Sequence, residues 1–408
     1  MKLKITSTQM RIFGITWLAY FGFYLTRKSF SVAKIGIEQD PEAAISMTDM
    51  AYIDGAYLVM YAIGQMIWGA AGDRMGTRKV ILAGMLISVL VAIGMGLSSI
   101  TIMFGIFFLI QGLAQSTGWA PLVKNVCGYF DKDKRGTLMG LWCTNYALGG
   151  LVASAFAGYW GDLLGWRYAF YIPAATLFGI WILFYFLQSD VPEHPKAEDA
   201  PTEAAPPAQK NYSVFHIVKN RNVMLLGFTY FLLKPTRYAI LFWGPKFINS
   251  KLGSGMTESG LISGMFEAMG IVSTLLAGIL SDWLFKGRRI PVCVISLMSL
   301  GIFLFFLDHI PATRISLILG FFFMGLMVFG PDSIVSSTAA VDFAGESEAS
   351  SAAGLVNGLG SVGAIIGGTV PGFFAEQYGW SGTFYFLGGM VIVASLILVS
   401  KWNVRPRD

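Results

Sequence analysis

The chain alternates long apolar runs with short polar breaks, and twelve of the runs approach the ~20 residues a helix needs to cross a hydrocarbon core. They cover residues 10–35, 48–72, 79–98, 100–125, 136–160, 166–187, 223–249, 257–282, 290–308, 312–336, 347–375 and 380–402. No period-2 alternation dominates them, so the pattern predicts helices rather than a transmembrane barrel. The clear interruption is residues 188–222, where Pro192, Pro195, Pro201, Pro206 and Pro207 stand among Ala, Glu, Asp and Lys. Such a stretch buries too little apolar surface to order itself and predicts a linker. The expected fold is an all-α membrane protein with twelve transmembrane helices in two pseudo-symmetric six-helix halves, 1–187 and 223–408.

The halves repeat each other. GAAGDRMGTRKV (69–80) and GILSDWLFKGRRIPV (278–292) each close the second helix of a half with Gly, Asp and a basic cluster, and Asp73 and Asp282 lie 209 positions apart. GWRYAFY (165–171) and GWSGTFY (379–385) open the sixth helix of each half at a spacing of 214. Internal repeats of this kind build many secondary transporters. A pair of halves needs no partner subunit to form a pathway, so a monomer is expected.

Composition agrees: 55% hydrophobic residues, 13% charged residues and 48 glycines in 408 exclude an ordinary soluble domain. The first run follows Met1-Lys-Leu-Lys and continues through Arg27 without a small-residue cleavage site, so it is expected to stay as helix 1. Cys127, Cys143 and Cys293 lie in or beside apolar segments without metal or redox spacing, which predicts buried thiols and no disulfide.

Lys2, Lys4, the Arg74/Arg78/Lys79 cluster, Lys132/Lys134/Arg135, Lys219/Arg221, Lys286/Arg288/Arg289 and Arg405/Arg407 fall on one side if the helices alternate. The other side is poorer in cations and carries Glu38, Asp40 and Glu42. That bias places both termini and the linker in the cytoplasm of a multi-pass protein of the cell (inner) membrane. It also accounts for the net charge of +5, which therefore implies no nucleic-acid partner.

Candidate chemistry sits where cations interrupt apolar sequence. YFLLKPTRYAILFW (230–243) carries Lys234, Pro235 and Arg237, and YFGFYLTRKSFSVAK (20–34) carries Arg27 and Lys28. The apolar stretch before Arg27 is about 14 residues and that before Lys234 is 11, so each helix must include its cations to span. Arg27 and Arg237 are 210 positions apart, equivalent places in the first helix of each half. Tyr20, Tyr24, Arg27 and Ser31 share one helical face, as do Tyr230, Lys234 and Arg237. An arginine at mid-membrane costs at least ~2.5–3.5 kcal/mol unless it meets a wet cavity or a counter-ion. Two guanidinium forks with adjacent lysines describe a site for a small anion, best a phosphate ester or inorganic phosphate, since the fork binds two oxygens at once. Structural arginines paired with nearby carboxylates are the other reading.

At these residues the sequence resembles the organophosphate:phosphate antiporters of the major facilitator superfamily, the group of glycerol-3-phosphate and hexose-phosphate transporters. The resemblance covers nearly the whole chain outside the linker. It is carried by Tyr24-Leu-Thr-Arg27-Lys28-Ser-Phe, Arg237-Tyr-Ala-Ile-Leu-Phe-Trp243, Phe266-Glu267-Ala-Met-Gly270, Val328-Phe-Gly-Pro331 and Gly379-Trp380-Ser-Gly. The Gly72-Asp73-Arg74-Met-Gly76-Thr-Arg78-Lys79 loop is similar to the general superfamily motif. The resemblance implies that Arg27 and Arg237 bind the substrate phosphate. The chain departs from the glycerol-3-phosphate carriers at Tyr146, where they have histidine, at Gln65, where they have lysine, and at Phe242, where they have aspartate.

Further candidates are Lys28, Lys234, Tyr24, Gln65 and Glu267, with Tyr146, Asn145, Gln111 and Asn357 as polar partners for sugar or polyol hydroxyls. For the last group helix-to-helix hydrogen bonding is an equal reading. Glu267 and Asp332 are candidates for proton or charge coupling, and Asp73, Arg74, Arg78 and Asp282 for a cytoplasmic gate. Asp54 is expected near the outer end of helix 2 as an inexpensive exposed carboxylate.

Together these features predict exchange of an organic phosphate for inorganic phosphate by alternating access. A proton-coupled symporter of carboxylates or sugar acids and a sugar-phosphate sensor remain as alternatives. With no nucleophile–base pair, metal cluster or phosphate-cradling glycine loop in a strand-to-helix context, neither an enzyme nor a metal or cofactor is expected.

Overall fold

The computed structural model describes residues 6–43, 45–130, 138–139, 141–190, 218–339 and 349–403, the side chains of 69–74, 337–338, 349–351 and 353 excepted. Within them the chain is helical, and the helices follow the apolar runs. Lys2, Lys4, the 132–135 loop, Arg405, Arg407, most of the expected linker and the side chains of Asp73 and Arg74 lie outside the described residues.

In the first half α1 (Ser7–Gln39) is followed by α2 (Met47–Met75), α3 (Thr77–Leu97), α4 (Thr101–Gln115), α5 (Trp119–Tyr129), α6 (Thr144–Leu164) and α7 (Tyr168–Leu187). In the second, α8 (Arg221–Leu252) is followed by α9 (Met256–Trp283), α10 (Ile290–Leu307), α11 (Arg314–Ser333) and α12 (Ala349–Val399). The expected run 100–125 is two helices, broken at the Ser116–Gly118 turn. The last two runs join in α12, which bends at Gly379, whose φ of 71° suits a residue without Cβ. Seven segments among the described residues are long and apolar enough to cross a membrane by length and composition. The cation-bearing α1 and α8 are not among them, because their charged and polar residues lower the apolar content of every stretch long enough to span.

Local chemistry sets the ends. Thr6 and Gln9 form a reciprocal capping box that starts α1, and Gly253 ends α8 in the left-handed region. Pro235 and Pro245 lie inside α8. A proline withholds the N–H that the carbonyl four residues earlier would accept, so Phe231 and Leu241 keep free carbonyls. Gly363 of α12 packs against the first of these: a methyl group there would lie 2.2 Å from the Phe231 oxygen.

Each half has its own apolar core. One is built around Phe23, Trp142, Leu177 and Phe184, the other around Phe247, Leu297, Phe321 and Leu387. A third cluster bridges them, setting Phe30, Tyr57 and Phe108 against Phe242, Trp243 and Met256. The halves meet where α6 packs on α9, α2 on α12 and α1 on α8. They close at the end holding Asp40, Asp162 and Glu376, and part at the end holding Gln65 and Asn357, around a cavity of about 500 Å³.

Candidate functional site

Arg27 from α1 and Arg237 from α8 line one chamber between the halves, of about 30 Å³, together with Tyr24, Tyr57, Tyr61, Tyr146, Tyr238, Phe242, Glu267 and Phe329. That volume holds a water molecule and little more. Leu58, Tyr61 and Tyr238 also line the 500 Å³ cavity, so these side chains divide a small inner chamber from a large vestibule.

The two arginines are held differently. Arg27 is 7% exposed; its Nε donates to Gln115 Oε1 (2.9 Å), and its Nη2 has no hydrogen-bond partner among the described residues. Gln115 is itself fixed, accepting from the Tyr57 hydroxyl (2.9 Å) and donating to Thr26 (3.0 Å). The Arg27 guanidinium lies 4.6 and 4.9 Å from the ring centres of Tyr24 and Tyr61, which stabilise a desolvated cation by roughly 1–2 kcal/mol each. Arg237 instead donates from Nη1 to Asp332 Oδ2 (2.7 Å) and lies 4.7 Å from the Phe329 ring centre. Lys234 Nζ is 3.7 Å from the other oxygen of Asp332 and faces the vestibule.

Lys28 is 2% exposed and bridges the halves, 3.3 Å from Glu267 Oε2 and donating to the Leu241 carbonyl at 2.8 Å. Glu267 rests against α6 at Gly150, where a methyl group would lie 2.1 Å from Oε1. Four cations (Arg27, Lys28, Lys234, Arg237) therefore face two carboxylates (Glu267, Asp332), leaving a formal charge of +2 in and around the chamber. Burying uncompensated charge is costly, and an anion of matching charge removes the cost.

Other expected residues fall elsewhere. Gln65 and Asn357 line the vestibule, and Asn357 donates to the Ser336 carbonyl (3.1 Å). Gln111 and Asn145 are buried outside the linings of both cavities; the Gln111 Oε1 and both amide atoms of Asn145 lack hydrogen-bond partners among the described residues. Arg78 holds its own half: its N–H donates to Asp190 (2.9 Å) and its guanidinium to the Tyr185 carbonyl. Asp282 is exposed and accepts from Ser281 (3.3 Å).

Asp54 corrects an expectation. It is fully buried rather than exposed, in an ion pair with fully buried Lys34. The reason is the length of α1, which runs on to Gln39 and carries Lys34 inward beside α2 beneath α8. Lys34 Nζ also donates to the Phe242 carbonyl (3.1 Å) and lies 3.5 Å from the Trp243 ring centre. Also absent from the sequence reading are Gln115, Tyr57, Tyr61 and Tyr238. Gln115 follows the candidate Gln111 by four residues on the same face of α4, a spacing that points to it as well.

Comparison with known proteins agrees with this architecture. The chain is 26% identical over 431 residues to the "Probable hexose phosphate transport protein" of Chlamydia trachomatis, covering 98% of this chain and 92% of that one. It is 28% identical to the "Glucose-6-phosphate exchanger SLC37A2" of Bos taurus, covering 94% and 92%, and 28% identical to the "Glycerol-3-phosphate transporter" of Bacillus subtilis, covering 98% and 93%. The fold matches the crystal structure of the nucleoside transporter NupG with a TM-score of 0.74 at 14% identity, covering 98% of this chain and all of that one. It also matches an inward-facing, unoccupied bacterial homologue of the lysosomal transporter Spinster at 0.73 and 13%, covering 98% and 96%. The sequence profile of the Major Facilitator Superfamily matches residues 16–367 and 312–408, and the chain belongs to that superfamily.

Proposed function

We propose that the protein exchanges an organic phosphate ester, of the sugar-phosphate class, for inorganic phosphate by alternating access. The observation that carries this reading is the chamber shared by Arg27 and Arg237 with its formal charge of +2, which a dianionic phosphate group neutralises. The names of the hexose-phosphate, glucose-6-phosphate and glycerol-3-phosphate relatives support it.

In this reading the 30 Å³ chamber widens as the phosphate enters between the two guanidinium groups, taking the free Nη2 of Arg27 and competing with Asp332 for Arg237. The ester's hydroxyl-bearing end extends past Tyr61 and Tyr238 into the vestibule, whose Gln65, Ser336, Asn357 and Ser361 offer hydrogen-bond partners. Tyr146 and Phe242 line the chamber where the glycerol-3-phosphate carriers have ionisable groups, which argues against glycerol-3-phosphate itself as the substrate. Without an anion the cations repel one another across the interface, so reorientation is slow and net uptake gives way to exchange. The vestibule opens on the cytoplasmic side, making this the inward-facing state of an inner-membrane carrier with both termini cytoplasmic.

The test is uptake of labelled inorganic phosphate into proteoliposomes of the purified protein, with and without internal phosphate, challenged by triose, hexose and glycerol phosphates. Uptake that requires internal phosphate and is competed by hexose phosphates is the expected result. Uptake indifferent to internal phosphate and driven by a pH gradient would overturn exchange in favour of a proton-coupled anion symporter.

A further inference from the structure

We propose that Asp162 and Glu376 form the outer gate as a two-fold pair of helix caps, each supplied by one half to the other. The first N–H groups of a helix have no partner within it. At α9 the capping position is Gly255, which has no side chain to accept from them. Asp162, near the end of α6 in the opposite half, does so instead, accepting from the N–H of Met256 (2.8 Å) and of Thr257 (2.7 Å). On the other side of the interface Glu376 of α12 accepts from the N–H of Thr48 (2.8 Å) and its hydroxyl (2.6 Å) at the start of α2. A carboxylate at either place also meets the positive end of the helix dipole.

The two contacts are one device built twice. Four residues before each acid a glycine lets the helices touch: a methyl group at Gly158 would lie 2.5 Å from the Met256 carbonyl, and one at Gly372 would lie 2.6 Å from that of Met47. Gly158 and Gly372, Asp162 and Glu376, and Gly165 and Gly379 are each 214 positions apart; Met47 and Met256, and Thr48 and Thr257, are each 209 apart. These are the offsets that relate the halves, so the caps are equivalent under the internal pseudo-symmetry.

Both caps exist only while the halves meet on this side. Opening the outer side separates α6 from α9 and α12 from α2, and exposes both sets of N–H groups together. The caps therefore favour the inward-facing state, and this role rests on the alternating-access reading above.

Hydrogen exchange of the full chain in nanodiscs reads the capped N–H groups directly and needs no substrate. Asp162→Ala is expected to speed exchange in residues 256–262 by about two- to thirtyfold, the range for loss of one cap. It is also expected to speed exchange in residues 48–54, capped by the untouched Glu376, because both caps open with one gate. Asp162→Asn, which retains an acceptor, is expected to give a smaller change in the same two regions. Acceleration confined to 256–262, or none, would overturn the gate and leave Asp162 a local cap. Coupled acceleration in a protein that fails to exchange phosphate would leave the gate standing and overturn only the substrate assignment.

Discussion

Lys28 donates to the carbonyl of Leu241, and that carbonyl is free because the residue four positions on is Pro245. A proline inside a helix of the second half thus holds a lysine of the first half beside the arginine chamber. Because the same ammonium lies 3.3 Å from Glu267, Lys28 joins the state of the site to the packing of α1 on α8.

Removing one member of this buried pair leaves the other uncompensated. Lys28→Met is expected to lower stability by about 3–5 kcal/mol, and Lys28→Met with Glu267→Gln to recover most of the loss. Thermal unfolding of the two single variants and the double variant in detergent checks this. Additive losses would mean that the two residues are not coupled.

Lys34 and Asp54 form a second buried pair, with the ammonium on the Trp243 ring. Asp54→Asn alone is expected to destabilise by about 3–5 kcal/mol, whereas Lys34→Met with Asp54→Leu is expected to be nearly neutral for folding. The same unfolding measurement applies, and equal losses in the two would contradict the assignment.

Asp332 competes with substrate for Arg237 and Lys234. Asp332→Asn raises the formal charge of the site, so inorganic phosphate is expected to bind roughly tenfold tighter, about 1.4 kcal/mol, while exchange slows because release is harder. Phosphate binding by calorimetry together with exchange rates tests both parts. Weaker binding would show that Asp332 positions Arg237 rather than competing for it.

Much of this was legible in the sequence. The apolar runs mark the helices, and the runs before Arg27 and Lys234 are too short to span without the cations, which put both arginines inside the membrane and, by their spacing, across from one another. Gln115, Tyr57 and Tyr61 were not legible, because a glutamine or tyrosine within an apolar run gives no sign of which neighbour it meets. Asp54 misled because an acid near a helix start reads as solvated; only the length of α1 shows that Lys34 reaches it. The outer caps do leave a trace in the sequence: GYWGDLLGW (158–166) and GFFAEQYGW (372–380) extend the repeated Gly-Trp pair upstream to include both acids.

The most direct test of the central claim is phosphate exchange by Arg27→Lys proteoliposomes beside the unsubstituted protein and Arg237→Lys. Lysine keeps the charge and loses the fork, so exchange is expected to fall about tenfold to a hundredfold in each, more in Arg27→Lys because Arg27 forms no ion pair among the described residues, whereas Arg237 is already paired with Asp332. Exchange at the unsubstituted rate in both variants would contradict phosphate binding by the arginine pair.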